Sequence, residues 1–364
     1  MRIVVKLGSS LLTTKDGLNS ERIRQFAGQL ANSPHKIVIV TSGAIATGMK
    51  KLGMKQKPPD ISMQQALAAV GQSSLMREYE KAFDGKKILA QVLLTNYDFS
   101  ERMRYLNVQN TLLTLMKRDI IPVINENDTV TVGDIRKLAF GDNDSLATHV
   151  AIAVYADLLI IFTDVEGLYT KNPKEAGAEL IRVVEQISEK EFEMCSGANV
   201  VGKGGMLSKL NSAKKATEAG IKVIIANGTV ENAVEQALDG KIGTTFMPIK
   251  KINPRKYWLA FASEPKGKLF INSGAEKAVL EEKRNLLPVG IVGSEGDFKK
   301  GDVVEILNEK RNVIAKGVTN YFSAEISKIK GLDEDMVFAT LGYAYREAVS
   351  RASMVLMKGE KNGE

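Results

Sequence analysis

Arg2-Ile3-Val4-Val5-Lys6-Leu7 is an apolar run with one lysine near its end, and it stops at Gly8-Ser9-Ser10. A short β-branched run closed by a glycine turn reads as a strand buried on both faces. The pattern recurs along the chain. Lys36-Ile37-Val38-Ile39-Val40-Thr41 meets Ser42-Gly43-Ala44, residues 121–125 run into Glu126-Asn127-Asp128, and residues 158–163 end at Asp164. Residues 88–95 and 222–227 read as further strands. Helical spacing covers 20–30, 62–83, 101–118, a stretch from Ser145, and 207–219.

Fully apolar strands alternating with helices predict an α/β fold, a three-layer αβα sandwich with a mainly parallel sheet. In such sheets the ligand crevice lies beyond the strand C-terminal ends. Lys6 to Gly8, Ser42 to Ala44, Asn125 to Asp128 and Thr163-Asp164 all fall at those ends, which predicts one active site.

A fifth segment belongs with them. Lys203-Gly204-Gly205-Met206-Leu207-Ser208-Lys209 is a glycine-rich turn that runs into a helix. Its glycines let backbone N–H groups approach an anion, and the helix start adds a positive dipole end. Lys209 then projects from the first turn as a movable positive charge. Taken singly, each member has a plain alternative. Lys6 could be a solvated strand-end charge, Asp142 and Asp144 an acidic turn and helix N-cap, and Met206 a packing residue. His35 and His149 read as structural.

Composition narrows the chemistry. At 364 residues two domains are expected, and 44% hydrophobic with 26% charged residues fits a soluble globular chain. No run of about 18 apolar residues occurs and the N-terminus enters a strand directly, so neither a membrane span nor a secretory signal is expected. One cysteine, Cys195, leaves no intrachain disulfide and fits a reducing cytoplasm. With only two histidines, no histidine-rich metal centre is expected. The formal charge of +7 is spread evenly: residues 252–364 hold 18 basic against 16 acidic side chains, and residues 1–251 hold 32 against 27. Neither part is a basic tail, so charge does not separate an anionic small substrate from nucleic acid.

The pattern changes near Lys250. Residues 258–262, 267–271, 290–292, 302–307 and 313–318 are short apolar runs between glycine and charged turns, as in a small β-barrel. Residues 275–282 form the one clear helix there. The predicted layout is an α/β domain over 1–251, a β domain over 252–345 and a polar tail over 346–364.

No G-x-x-x-x-G-K-[ST] stretch, no G-x-G-x-x-G after the first strand and no protein-kinase signature is present. Two glycine turns, Gly8-Ser9-Ser10 and Ser42-Gly43-Ala44, can aim N–H groups at a phosphate chain. Lys6 and Lys209 can flank a transferring phosphoryl group, with Asp144 holding both ammonium groups.

These motifs, together with Gly141-Asp142-Asn143-Asp144, Phe162-Thr163-Asp164-Val165-Glu166-Gly167-Leu168-Tyr169 and Gly204-Gly205-Met206, stand in the order of the amino acid kinase family. They resemble its glutamate-phosphorylating members, and residues 255–345 resemble the PUA domain that follows the kinase in many of them. The resemblance covers nearly the whole chain. It implies ATP-dependent phosphorylation of the L-glutamate side-chain carboxylate to L-glutamyl 5-phosphate, the first step of proline biosynthesis. By position it makes Lys6, Lys209 and Asp144 catalytic, and it gives Ser42, Gly43, Ala44, Asp128 and Asn143 to glutamate. Lys6, Gly8, Ser9, Thr163, Asp164 and residues Lys203, Gly204, Gly205, Met206, Leu207, Ser208 and Lys209 go to ATP. Magnesium is implied on the nucleotide phosphates, with no protein ligands assigned. Proline as feedback inhibitor, a homo-oligomer of dimer or tetramer type and a cytoplasmic location are implied as well.

The chain departs from the pattern twice. The segment between Asp128 and Gly141 is a few residues longer and holds Arg136 and Lys137, beside the expected glutamate site. Lys203 stands where the pattern has threonine. Two other readings compete: another amino acid kinase with a different acceptor, and an RNA-binding protein built on the PUA-like part. The balanced charge and few aromatics of 252–364 argue against strong RNA binding.

Overall fold

The computed structural model describes residues 1–14, 17–130, 143–173, 175–195, 205–249, 258–259, 263–345 and 347–357. The chain divides into two compact units, Met1–Phe99 with Met103–Ile252, and Ser100–Arg102 with Asn253–Glu364.

In chain order the first unit contains β1 (Arg2–Leu7), α1 (Ser9–Leu12), the small hairpin β2 (Thr13–Thr14) and β3 (Gly17–Leu18), α2 (Ser20–Ala31), β4 (Lys36–Val40), α3 (Ala44–Lys51) and α4 (Ile61–Phe83). It continues with β5 (Leu89–Leu94), α5 (Tyr97–Ser100), α6 (Arg102–Lys117), β6 (Ile121–Glu126), α7 (Asn143–Ala153), β7 (Leu158–Thr163), β8 (Val183–Val184), α8 (Glu189–Cys195), α9 (Met206–Glu218), β9 (Lys222–Asn227), α10 (Ala233–Leu238) and β10 (Thr244–Phe246). The eight-stranded sheet has the order β5-β6-β4-β1-β7-β9-β10-β8. Every neighbouring pair is parallel except β9 and β10.

The central strands are largely apolar because both faces are covered. On β1, Ile3, Val5 and Leu7 enter a core with Phe26 and Leu30 of α2, Met76 and Tyr79 of α4, and Val234 of α10. Val4 and Lys6 therefore face the other way, the side on which α7 packs against β1 and against α9. From β1 the chain builds outward through β4 to β6 and β5, then crosses back to place β7 on the other side of β1. This reversal of direction around β1 opens a crevice at the strand C-terminal ends.

The α3–α4 pair closes one wall of that crevice through two glycines. A Cβ added at Gly71 would run into the Ala44 carbonyl oxygen, and one at Gly48 into the Leu67 carbonyl oxygen. The helix backbones thus touch directly, which fixes where α3 and the turn before it can sit.

Several local expectations change. Residues 44–51, to which the sequence reading gave no element, form α3. α7 begins at Asn143 rather than Ser145, so Asp144 lies in its first turn. The second unit holds a five-stranded sheet, β12-β11-β13-β14-β15, built from β11 (Gly267–Ile271), β12 (Ile291–Glu295), β13 (Val303–Leu307), β14 (Val313–Thr319) and β15 (Val349–Leu356). The expected strand over 258–262 is not one where it is described: the Ser263 N–H donates to Trp258 O, a helical turn, and Trp258 and Leu259 are buried. Besides Ser273–Leu280, two more helices occur, Ser323–Ile329 and Glu334–Leu341. Both are short, and only Ile326, Ile329 and Val337 are buried, too few to mark a helical stripe. Part of the expected polar tail is β15, which pairs antiparallel with β14 and buries Val349 and Met354. No helix among the described residues is long and apolar enough to cross a membrane.

The glycine contacts can be checked by substitution. Gly71→Ala is expected to destabilise the first unit by at least about 2 kcal/mol, since backbone must move to admit the methyl group. Gly28→Ala, also inside a helix but with open space around its Cβ position, is expected to stabilise by about 0.5–1 kcal/mol. Urea unfolding of the two variants against the parent measures both signs.

Candidate active site

Lys6 is the penultimate residue of β1 and points to the α7–α9 side. Its Nζ lies 2.5 Å from Asp144 Oδ1, and Lys209 Nζ, in the first turn of α9, lies 3.1 Å from Asp144 Oδ2. The three side chains are 7%, 1% and 6% exposed, so two ammonium groups and one carboxylate are held almost out of water. Burial pushes the Asp144 carboxyl up, but the charges and hydrogen bonds of Lys6 and Lys209 outweigh it, leaving it below its usual value. The carboxylate stays ionised and the cluster carries one excess positive charge. Such an excess at the end of a parallel sheet favours an anion.

The cluster borders a cavity of about 500 Å³. Of the residues singled out from sequence, Lys6, Gly8, Ser9, Ser42, Gly43, Ala44, Asp128, Asn143, Asp144, Thr163, Asp164 and Lys209 line it. Gly205, Met206, Leu207 and Ser208 open α9 but are not among the lining residues. Lys203 and Gly204, together with Arg136, Lys137, Gly141 and Asp142, lie outside the described residues.

Gly8 has a different task from the one expected. Its N–H donates to Phe162 O at 3.2 Å, so it ties β1 to β7 rather than facing a phosphate. A Cβ there would stand 3.1 Å from that same oxygen, which explains why the smallest residue occupies the position. Ser10 Oγ donates to Asp164 Oδ1 at 3.2 Å, and Thr163 Oγ1 donates to the same oxygen at 3.0 Å, linking the two turns.

Across the cavity Gly43, with φ of 106°, turns the chain from β4 into α3. Asn143 Nδ2 lies 2.5 Å from Thr41 O, 2.8 Å from Ser42 Oγ and 3.1 Å from Asn125 Oδ1, its two N–H groups shared among the three acceptors. One amide therefore holds the ends of β4 and β6 together. Asp128 stands at the rim, where burial raises its carboxyl above the usual value and Lys57 partly pulls it back. Sequence reasoning missed Lys57 and Gln72, and it named Ser10 and Asn125 only as members of their turns, with no side-chain role of their own. For Gln72 a signal existed: it falls on the buried face of α4 between Ala68 and Met76, a polar residue in an apolar stripe.

His149 packs against Phe99, and burial pushes its pKa down to about 4, so it is neutral and structural. Burial pushes the Cys195 thiol up, leaving it unreactive.

A parallel sheet with lysines from two elements around a buried aspartate, over a cavity with carboxylate and amide groups opposite, is the architecture of a phosphotransferase. The chain belongs to the amino acid kinase family, which residues 1–227 match, and residues 267–337 match the PUA domain. Over its whole length it is similar to proteins named glutamate 5-kinase. One from Thermoanaerobacter sp. (strain X514) is 47% identical over 374 residues, with 100% of both chains covered. One from Caldanaerobacter subterraneus subsp. tengcongensis is 46% identical over 374 residues. A third, from Syntrophotalea carbinolica, is 41% identical, covering 98% of this chain and 97% of that one.

The charge cluster makes unequal demands on its members. Asp144→Asn leaves two buried ammonium groups facing each other and is expected to cost about 3–5 kcal/mol of stability. Lys6→Met leaves a neutral Lys209–Asp144 pair and is expected to cost clearly less. Because the folded-state value of Asp144 is depressed, its contribution is full above the unfolded value of about 3.9 and fades as pH falls through the folded one. Denaturant unfolding at pH 7 and below pH 3.5 compares the three chains.

Proposed function

We infer that this chain transfers the γ-phosphoryl group of ATP to the side-chain carboxylate of L-glutamate, giving L-glutamyl 5-phosphate and ADP at the entry to proline biosynthesis. The observation that carries the reading is the buried Lys6–Asp144–Lys209 cluster at the head of a cavity. It stands in a chain 47% identical, end to end, to a glutamate 5-kinase.

The chemistry suits a site whose described lining holds no histidine. A glutamate side chain with pKa about 4.3 is already ionised at neutral pH, so no general base is needed. A carboxylate oxygen attacks the γ-phosphorus, the bond to the β–γ bridging oxygen breaks, and the electron pair leaves on ADP. The obstacle is repulsion between an anionic nucleophile and the phosphate chain, offset by position and by cationic donors. Lys6 and Lys209 supply that charge and Asp144 keeps both in place. Magnesium, when bound with the nucleotide, neutralises phosphate charge. An ion of this kind keeps several waters and is held mainly by the phosphate oxygens with one or two carboxylates, and Asp164 lines the cavity on the side assigned to ATP.

Glutamate is assigned to Ser42, Gly43, Ala44, Asp128 and Asn143. Ser42 Oγ accepts from Asn143, so its own hydroxyl proton is left to donate to the α-carboxylate. Asp128 receives the α-ammonium group. ATP is assigned to Lys6, Ser9, Thr163, Asp164 and the start of α9. Gly205 caps that helix without a side-chain hydrogen bond, and its 13 residues direct a positive dipole end toward phosphate. A cytoplasmic location, a homo-oligomer and inhibition by proline accompany the reading through the family resemblance. Every assigned residue falls within 1–251, the part proposed to carry the kinase activity.

The deciding experiment is ATP consumption with glutamate, aspartate, acetylglutamate and uridylate, with hydroxylamine trapping of the acyl phosphate. Turnover of another acceptor in preference to glutamate overturns the reading.

Three consequences are measurable. Lys6→Ala and Lys209→Ala are each expected to lower kcat by about a hundredfold or more, as loss of a preorganised charge costs about 3–4 kcal/mol in the transition state. A folded variant with normal kcat removes that lysine from the mechanism. For Asp128, the raised carboxyl value means that the glutamate KM climbs as pH falls while still above the ordinary carboxylate range. Asp128→Asn is expected to raise the glutamate KM at neutral pH, leave the ATP KM nearly unchanged, and flatten that acid limb. Finally, a chain ending at Lys251 is expected to fold and to keep glutamate phosphorylation; a native-like circular dichroism spectrum without activity contradicts it.

A further inference from the structure

Behind the cavity runs a line of three side-chain amides whose orientation is dictated from one end. A backbone carbonyl can only accept, so the Asn143 atom that meets Thr41 O must be the nitrogen. That nitrogen also meets Asn125, which must therefore present Oδ1 toward Asn143. Asn125 Nδ2 is then turned the other way, where it donates to Gln72 Oε1 at 3.0 Å. Asn125 is 2% exposed and Gln72 8%. The Gln72 Nε2 atom is buried with no hydrogen-bond partner among the described residues. Leaving a buried amide N–H unpaired costs stability that a leucine at this position would not. The chain carries a glutamine here in spite of that cost, and the atom of it that finds a partner is the oxygen.

Two turns further along α4, on the same face, Tyr79 Oη hydrogen-bonds Thr41 Oγ1 at 2.8 Å. α4 thus grips the ends of both β6 and β4 from behind, at Asn125 and at Thr41. The front of this assembly is Asn143, which lines the cavity. With Nδ2 committed to the interior, Oδ1 is the atom of its head group left for a substrate donor.

We propose that Gln72 is a positioning residue for glutamate binding: through Asn125 it locks the Asn143 amide with its nitrogen inward and its oxygen toward the substrate. Gln72 touches neither substrate nor phosphate. Its acceptor oxygen holds Asn125 in the one orientation that offers Asn143 an acceptor. Without it, Asn125 is free to flip and to present its NH₂ group to the Asn143 NH₂ group. Asn143 then loses its fixed direction, and the glutamate site loses an acceptor for the α-ammonium group. The nucleotide side of the cavity makes no use of this line. This rests on the assignment of glutamate to Asn143.

The test is a double-mutant cycle on the full chain, reading KM for glutamate and for ATP separately. Gln72→Leu is expected to raise the glutamate KM about tenfold and to leave the ATP KM within about twofold, the scale of one lost hydrogen bond. Asn125→Ala is expected to raise it at least as much, and the double variant no further than Asn125→Ala alone. Gln72→Glu keeps an acceptor oxygen for Asn125, in a place where burial favours the neutral acid, and is expected to hold the glutamate KM within about threefold. Equal shifts in both KM values, additive effects of the two substitutions, or a Gln72→Glu variant as impaired as Gln72→Leu each overturn the proposal. Should Gln72→Leu fail to fold, Gln72→Met of similar length takes its place in the cycle. If the parent chain does not phosphorylate glutamate, the functional reading fails; if it does and Gln72→Leu is silent, only the role of Gln72 fails.

Discussion

Everything chemical in the molecule depends on one buried carboxylate. Asp144 reaches Lys6 with one oxygen and Lys209 with the other, and neither ammonium group could stay in so dry a place without it. The three residues come from β1, α7 and α9, three elements that meet only because the sheet reverses its direction of growth at β1. The pleat of β1 does the rest. Ile3, Val5 and Leu7 belong to the core beneath α2 and α4, so Lys6 is delivered to the opposite face by the alternation of side chains. Moving the lysine by one residue in either direction would bury it in the wrong layer.

The fold was largely legible, because both of its periodicities are strong. Apolar runs such as residues 2–7 and 158–163 have no other stable reading in a chain without a membrane-length segment, and their edges fall within a residue or two of the observed strands. What escaped were elements whose identity comes from contact. α3 carries Ala44, Thr47 and Gly48 inward, residues too small to mark a helical stripe, and only the backbone approach of α4 at Gly71 makes sense of them. The start of α7 was placed late because Asn143 and Asp144 look like a polar turn. Their side chains are instead turned inward, Asp144 to the lysines and Asn143 to Thr41, Ser42 and Asn125.

The site was legible at its charges and less so at its supports. Lys6, Asp144 and Lys209 were legible together, since each has a plain structural alternative alone but all three lie near glycine turns grouped at one end of the expected sheet. Gln72, Asn125 and Ser10 act through hydrogen bonds to other side chains, and no local pattern announces such a partner before the fold brings it near. Gly8 shows the converse error. A glycine in a phosphate-like turn invites an anion reading, yet its N–H is spent on Phe162 O, and its small size serves the approach of two strands.

α4 ties these observations together. Its Gly71 is pressed against α3, and the residue after it, Gln72, holds Asn125. Seven residues on, Tyr79 holds Thr41, just ahead of the Ser42-Gly43 turn that starts α3. One helix therefore sets the position of the wall, through backbone contact, and the direction of the amides on it, through side chains. A displacement of α4 would therefore move α3, Asn125 and Thr41 together, and through Asn143 it would reach Asp144, the next residue of α7. Acceptor binding and phosphoryl stabilisation thus meet at two adjacent residues in one helical turn, the first held by amides from the α4 side and the second by lysines from β1 and α9.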